Sequence, residues 1–107
     1  MTTNSNDYIE TVLALYLQLP DTPSRLSRYD RRFAQLLCHR NVPLHILDAA
    51  FLIATARRLM RDPSYPPLNP IRSLNYFSPV IDELLAQPPS SNYIQYLRGK
   101  LASHLSP

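Results

Sequence analysis

The stretch Leu44-His-Ile-Leu-Asp-Ala-Ala-Phe-Leu-Ile-Ala-Thr-Ala-Arg-Arg-Leu-Met60 decides the fold. Before Arg57 its only polar side chains are His45, Asp48 and Thr55. A helix apolar on almost every side belongs in the middle of a protein. It is too short, and too closely followed by arginine, to read as a membrane span. The stretch therefore predicts a central post, residues 44–61, against which the other segments pack.

Working outward, the 107 residues contain one glycine and 11 prolines. That composition excludes a Gly-rich phosphate loop and argues against hairpins with Asn-Gly or Asp-Gly turns. The prolines fall between apolar segments, where they stop helices and stiffen connections. With 45% apolar and 18% charged residues the chain is not a disordered tail. These features predict an all-α fold: a single domain over 1–107, a compact bundle of about five helices around the central one.

A loose terminus over 1–6 is expected to lead, through a cap at Ser5 or Asn6, into a first helix from about Asp7 to Gln18. Tyr8, Val12, Leu15, Tyr16 and Leu19 share a face at helical spacing, with Ile9, Leu13 and Leu17 beside them. A second helix is expected from about Ser24 to Arg40. Leu26, Tyr29, Phe33, Leu36 and Leu37 form its apolar stripe, and Arg25, Arg28, Arg31 and Arg32 fall on the opposite arc. After the central helix, four prolines within residues 62–70 predict an extended connection, pinned by Tyr65 and Leu68. Asn69-Pro70 and Ser78-Pro79 both read as helix starts, giving two turns to Phe77 and a short helix to Ala86. Ser90 or Ser91 caps a last helix from about Asn92 to Leu105, with Ile94, Leu97, Leu101 and Leu105 as its stripe.

Charge is unevenly distributed. Residues 1–23 carry −3, residues 24–61 carry +6, and residues 62–107 balance. Ten of the eleven basic residues are arginine. Arginine forks onto phosphate and carboxylate and stacks on flat rings, so this middle segment is a candidate face for an anionic partner. The candidate nucleic-acid contacts are Arg25, Arg28, Arg31, Arg32 and Arg40, with a second cluster of Arg57, Arg58, Arg61 and Arg72 beside Tyr65 and Tyr76 for stacking. The plainer alternative is a solvated surface whose arginine stems cover apolar area.

The second helix, the Arg40–Pro43 break and the central helix have the outline of a helix-turn-helix. A recognition helix needs a polar outer face over its N-terminal half, however, and here that half offers only His45 and Asp48. Backbone contact by the arginine arc is the expected mode, and it carries little sequence information. Cys38, His39, His45 and His104 do not have the spaced-pair pattern of structural zinc, so no metal or other cofactor is expected. His45 and Asp48 could pair at i, i+3, but no nucleophile has a recognisable setting. Asp82 and Glu83 diverge on their helix and suit a helix start. No catalytic residues are expected, and the chain reads as a non-enzyme.

The lone Cys38 fits a reducing compartment, and Met1–Asp7 has no basic n-region. The expectation is a cytoplasmic protein with no membrane association. The stretch Pro70-Ile-Arg-Ser-Leu-Asn-Tyr-Phe77, following an Ala-rich helix from Ala50 that ends in Arg57-Arg58, resembles segments of small helical proteins encoded on bacterial mobile elements. These include accessory proteins of replication initiation. The resemblance covers residues 44–84 and implies nucleic-acid processing in a larger protein complex; it assigns no functional residue. The alternative is a helical interaction module, a small subunit or homodimer, in which the acidic first helix meets a neighbour's basic middle and tyrosines anchor the interface.

Overall fold

The computed structural model describes residues 5–105, with no side-chain detail from 104 onward. Five α-helices follow one another: α1 Ser5–Leu17, α2 Arg28–His39, α3 Leu44–Leu59, α4 Ser78–Ala86 and α5 Ser91–Leu105. A single 3-10 turn, Leu74–Phe77, precedes α4. The described residues contain no strand, and the fold is an all-α bundle.

α3 is the expected post. Nine of its sixteen residues are buried, from Ile46 and Leu47 through Phe51 and Ile53 to Ala56. Its four alanines let α1, α4 and α5 approach closely. α1 buries Tyr8, Ile9, Val12, Leu13 and Tyr16 and packs chiefly on α2. Phe77, fully buried, joins the two halves. Its ring meets Tyr16 of α1 edge-on at 6.2 Å and Phe51 of α3 at 4.9 Å, the geometry that the ring quadrupole favours.

α1 begins at Ser5, two residues ahead of the expected start. The expected loose segment otherwise lies in residues 1–4, outside the described residues, as does the side chain of Leu105. Ser90 caps α5, its Oγ accepting from the Tyr93 N–H at 3.1 Å.

Three elements differ from expectation, each for a local reason. α2 starts at Arg28 rather than Ser24 because Ser27 and Asp30 form a reciprocal capping box. The Asp30 N–H donates to Ser27 Oγ at 3.2 Å, and the Ser27 N–H donates to Asp30 Oδ2 at 3.0 Å. Asp30 is 1% exposed, and its other oxygen accepts from the Leu74 N–H at 2.9 Å. One buried carboxylate thus caps two helix starts. Turning Asp30 inward rolls α2: its buried face is Asp30, Ala34 and Leu37. The expected stripe is split, with Tyr29 62% and Leu36 52% exposed.

Second, the two turns expected after Asn69-Pro70 do not form. The Ile71 N–H donates to the Asp21 carbonyl at 2.9 Å, and Ile71 is buried. Residues up to Ser73 stay extended, and only Leu74–Phe77 coils. Third, Tyr65 and Leu68 do not pin the proline-rich segment, because both are exposed. The Arg58 guanidinium pins it by donating to the Asn69 carbonyl at 2.9 Å.

α2 ends in a complete Schellman motif. The Asn41 N–H bonds the Cys38 carbonyl at 3.0 Å, and the Val42 N–H bonds that of Leu37 at 3.1 Å. Asn41 takes the left-handed conformation, φ 56°, in a chain whose one glycine lies elsewhere. Val42 is buried, and its carbonyl accepts from the Tyr8 hydroxyl at 2.7 Å. The turn toward α3 is thereby fixed to α1. α2 itself packs on α1 and the 3-10 turn rather than along α3.

Candidate functional site

The nine candidate arginines separate by what they already hold. Arg31 pairs with Glu10 at 2.8 Å, Arg40 with Asp82 at 3.0 Å, Arg57 with Glu83 at 2.8 Å and Arg58 with Asp21 at 3.4 Å. A fifth pair, Arg98 with Asp48 at 2.6 Å, involves an arginine outside the candidate set. Asp82 and Glu83 therefore serve as ion-pair partners, not as helix-start charges. Asp48 faces Arg98 rather than His45. Among the described residues Arg25, Arg28, Arg32, Arg61 and Arg72 have no carboxylate within ion-pair distance.

The paired arginines at the end of α3 are fasteners. Arg57 grips Glu83 with both terminal nitrogens, at 3.0 and 2.8 Å. That hydrogen bond holds the Glu83 carboxyl below its ordinary pKa, and it also raises that of Arg57. Arg58 has a side chain only 9% exposed. It donates to the Tyr76 hydroxyl at 3.2 Å as well as to Asn69 and Asp21, and its guanidinium lies over the Tyr76 ring at 5.4 Å. Burial works to lower its pKa, but the bonds to Tyr76 and Asp21 outweigh that effect.

Of the unpaired arginines, Arg28 and Arg32 lie on α2, Arg25 just precedes it and Arg72 faces it across a groove. Arg32 and Arg72 line one open groove of about 590 Å³, together with Ser27, Tyr29, Phe33, Leu36, Ser73 and Asn75. Tyr29, Arg32, Phe33 and Leu36 come from one face of α2, at i, i+3, i+4 and i+7. Arg72, Ser73 and Asn75 come from the segment that Asp30 and Asp21 hold in place. Arg28 leans over the Tyr29 ring at 5.2 Å. Arg72, Ser73 and Asn75 also line the adjoining groove with Arg58, Leu68 and Tyr76. Arg72 is thus the link between the two arginine groups expected from the sequence. Arg61 lies over the exposed Tyr65 ring at 5.8 Å.

Sequence reasoning treated Tyr29, Phe33 and Leu36 as core and so missed the apolar floor of this groove. The available signal was Ser27-x-x-Asp30, a capping pattern that turns Asp30, not Tyr29, toward the core. Among the described residues no group of three or more His, Cys, Asp and Glu side chains is placed to hold a metal ion. Cys38 is half-buried, His39 and His45 are exposed, and the His104 side chain lies outside the described residues. Nor is any helix among the described residues long and apolar enough to cross a membrane.

No protein-family model, no curated protein and no solved structure matches this chain.

Proposed function

We propose that this chain is a small, non-enzymatic nucleic-acid-binding accessory protein of the cytoplasm, holding phosphate backbone as part of a replication, transposition or defence complex. The observation that carries this reading is the uneven pairing of its arginines. Five are tied to carboxylates within the chain, while Arg32 and Arg72 share a groove with no acidic side chain in its lining. Arg25 and Arg28 extend the same positive charge at the start of α2. Such a surface attracts phosphate and releases its counterions on binding. Titrating labelled DNA and RNA at low and high salt tests the reading. Affinity should fall linearly in log salt, and no binding at low salt would end the proposal.

A second reading, a helical interaction module, rests on α5, where Tyr93 and Tyr96 remain exposed. In this reading the acidic first helix meets a neighbour's basic middle, with Glu10 exchanging its pair with Arg31 for one across the interface. Light scattering during size exclusion measures self-association directly.

A further inference from the structure

We propose that the groove beside α2 takes single-stranded nucleic acid, with a base laid against Tyr29 and the flanking phosphates held by Arg32 and Arg72. This rests on the phosphate-binding reading above and adds the form of the ligand. That form follows from what lines the groove beside the charges. A site built only for phosphate needs cations and neutral donors; this one has an apolar floor. Tyr29 and Leu36 are mostly exposed and Phe33 is half-buried, all on one face of α2 and lining the same groove as the two arginines.

The outside of a duplex presents phosphates and sugars, with the base faces stacked away. Laid on this floor it would cover apolar side chains with charged backbone and gain little. A single strand offers flat apolar base faces alongside its phosphates, and every base has such a face. The Tyr29 ring is already oriented by the Arg28 guanidinium, 5.2 Å from its centroid. A base on the ring extends a cation–π stack that is half assembled. Asn75, on the same groove, brings an amide that can both donate to and accept from a base edge.

The test uses the full chain and fluorescence anisotropy. The probes are labelled single strands of DNA and RNA, each of about 12 nucleotides, and the DNA duplex of the same sequence at the same ionic strength. A single strand should bind at least about tenfold tighter than the duplex. Tyr29→Ala should weaken single-strand binding about tenfold, the size of one lost base stack. Tyr29→Phe, which keeps the ring, should retain it. Tyr29 is exposed, so these changes leave the fold in place. Duplex binding equal to or tighter than single-strand binding, insensitive to Tyr29→Ala, would overturn the single-strand inference and leave phosphate binding standing. No binding to any probe at low salt would overturn both.

Discussion

Arg57 and Arg58 at the end of α3 and Arg28, Arg32 and Arg72 beside α2 are the same residue type, yet they serve differently. Arg57 and Arg58 reach back to Glu83, Asp21, Asn69 and Tyr76 and close the fold. Arg28, Arg32 and Arg72 meet no carboxylate. Charge counted along a sequence therefore overstates the surface available to a partner. What matters is charge left over after the chain has satisfied itself, and here two of those arginines, Arg32 and Arg72, share a groove with an apolar floor.

The comparison can be broken most severely at Asp30. Asp30→Ala removes the carboxylate that rolls α2 and leaves the Ser27 and Leu74 N–H groups without their acceptor. Chemical denaturation should report a loss of about 3 kcal/mol. A loss within error of zero would mean that the capping bonds do not set the roll of α2. Arg58→Ala should cost about 2 kcal/mol, because three bonds from a nearly buried guanidinium disappear. Arg57→Ala, at an exposed pair, should cost less in the same assay. Arg32→Ala should leave stability within about 0.5 kcal/mol of the parent; a cost like that of Arg58→Ala would erase the distinction.

Alkaline pH sharpens the contrast from the α1–α2 side. Burial pushes the Tyr8 and Tyr16 phenols from 10.0 up to about 12. A phenol whose pKa is raised on folding stabilises fully below its unfolded value, and that stabilisation is lost as pH climbs through the folded one. Denaturation midpoints should thus fall between pH 10.0 and about 12. Tyr8→Phe should lessen that fall at a cost of about 1 kcal/mol near neutrality, since the bond to Val42 is lost. Tyr16→Phe should lessen it at no such cost, because that buried hydroxyl has no hydrogen-bond partner. A midpoint that stays as pH-dependent in both variants as in the parent would contradict this account. The smallest effect expected is a gain. Nothing lies within 4 Å of a Cβ added at Gly99, so Gly99→Ala in α5 should stabilise by about 1 kcal/mol without altering either arginine group.

Much of the architecture was legible because its signals are local. An all-round apolar run marked α3, proline-bounded segments marked the connections, and helical spacing marked the buried face of α1. The roll of α2 was not legible from apolar spacing. Leu26, Tyr29, Phe33, Leu36 and Leu37 look like one stripe, and only a buried aspartate with two backbone donors displaces them. The Leu74 donor lies 44 residues away. The helix start at Asn69-Pro70 failed for the same kind of reason, a backbone bond from Ile71 to distant Asp21. The candidate site was half legible. Residue type flagged the arginines, but the partners of Arg31, Arg57, Arg58 and Arg40 lie 21 to 42 positions off. No spacing rule reaches that far, so paired and unpaired arginines looked alike.

The central claim, that unpaired arginines and not paired ones meet phosphate, is tested most directly by the salt dependence of nucleic-acid binding. Each phosphate contact contributes about one unit to the slope of log affinity against log salt. Replacing both Arg32 and Arg72 with alanine should lower that slope by about two, while Arg57→Ala leaves it unchanged. A slope that falls with Arg57→Ala and not with the Arg32/Arg72 pair would contradict the account.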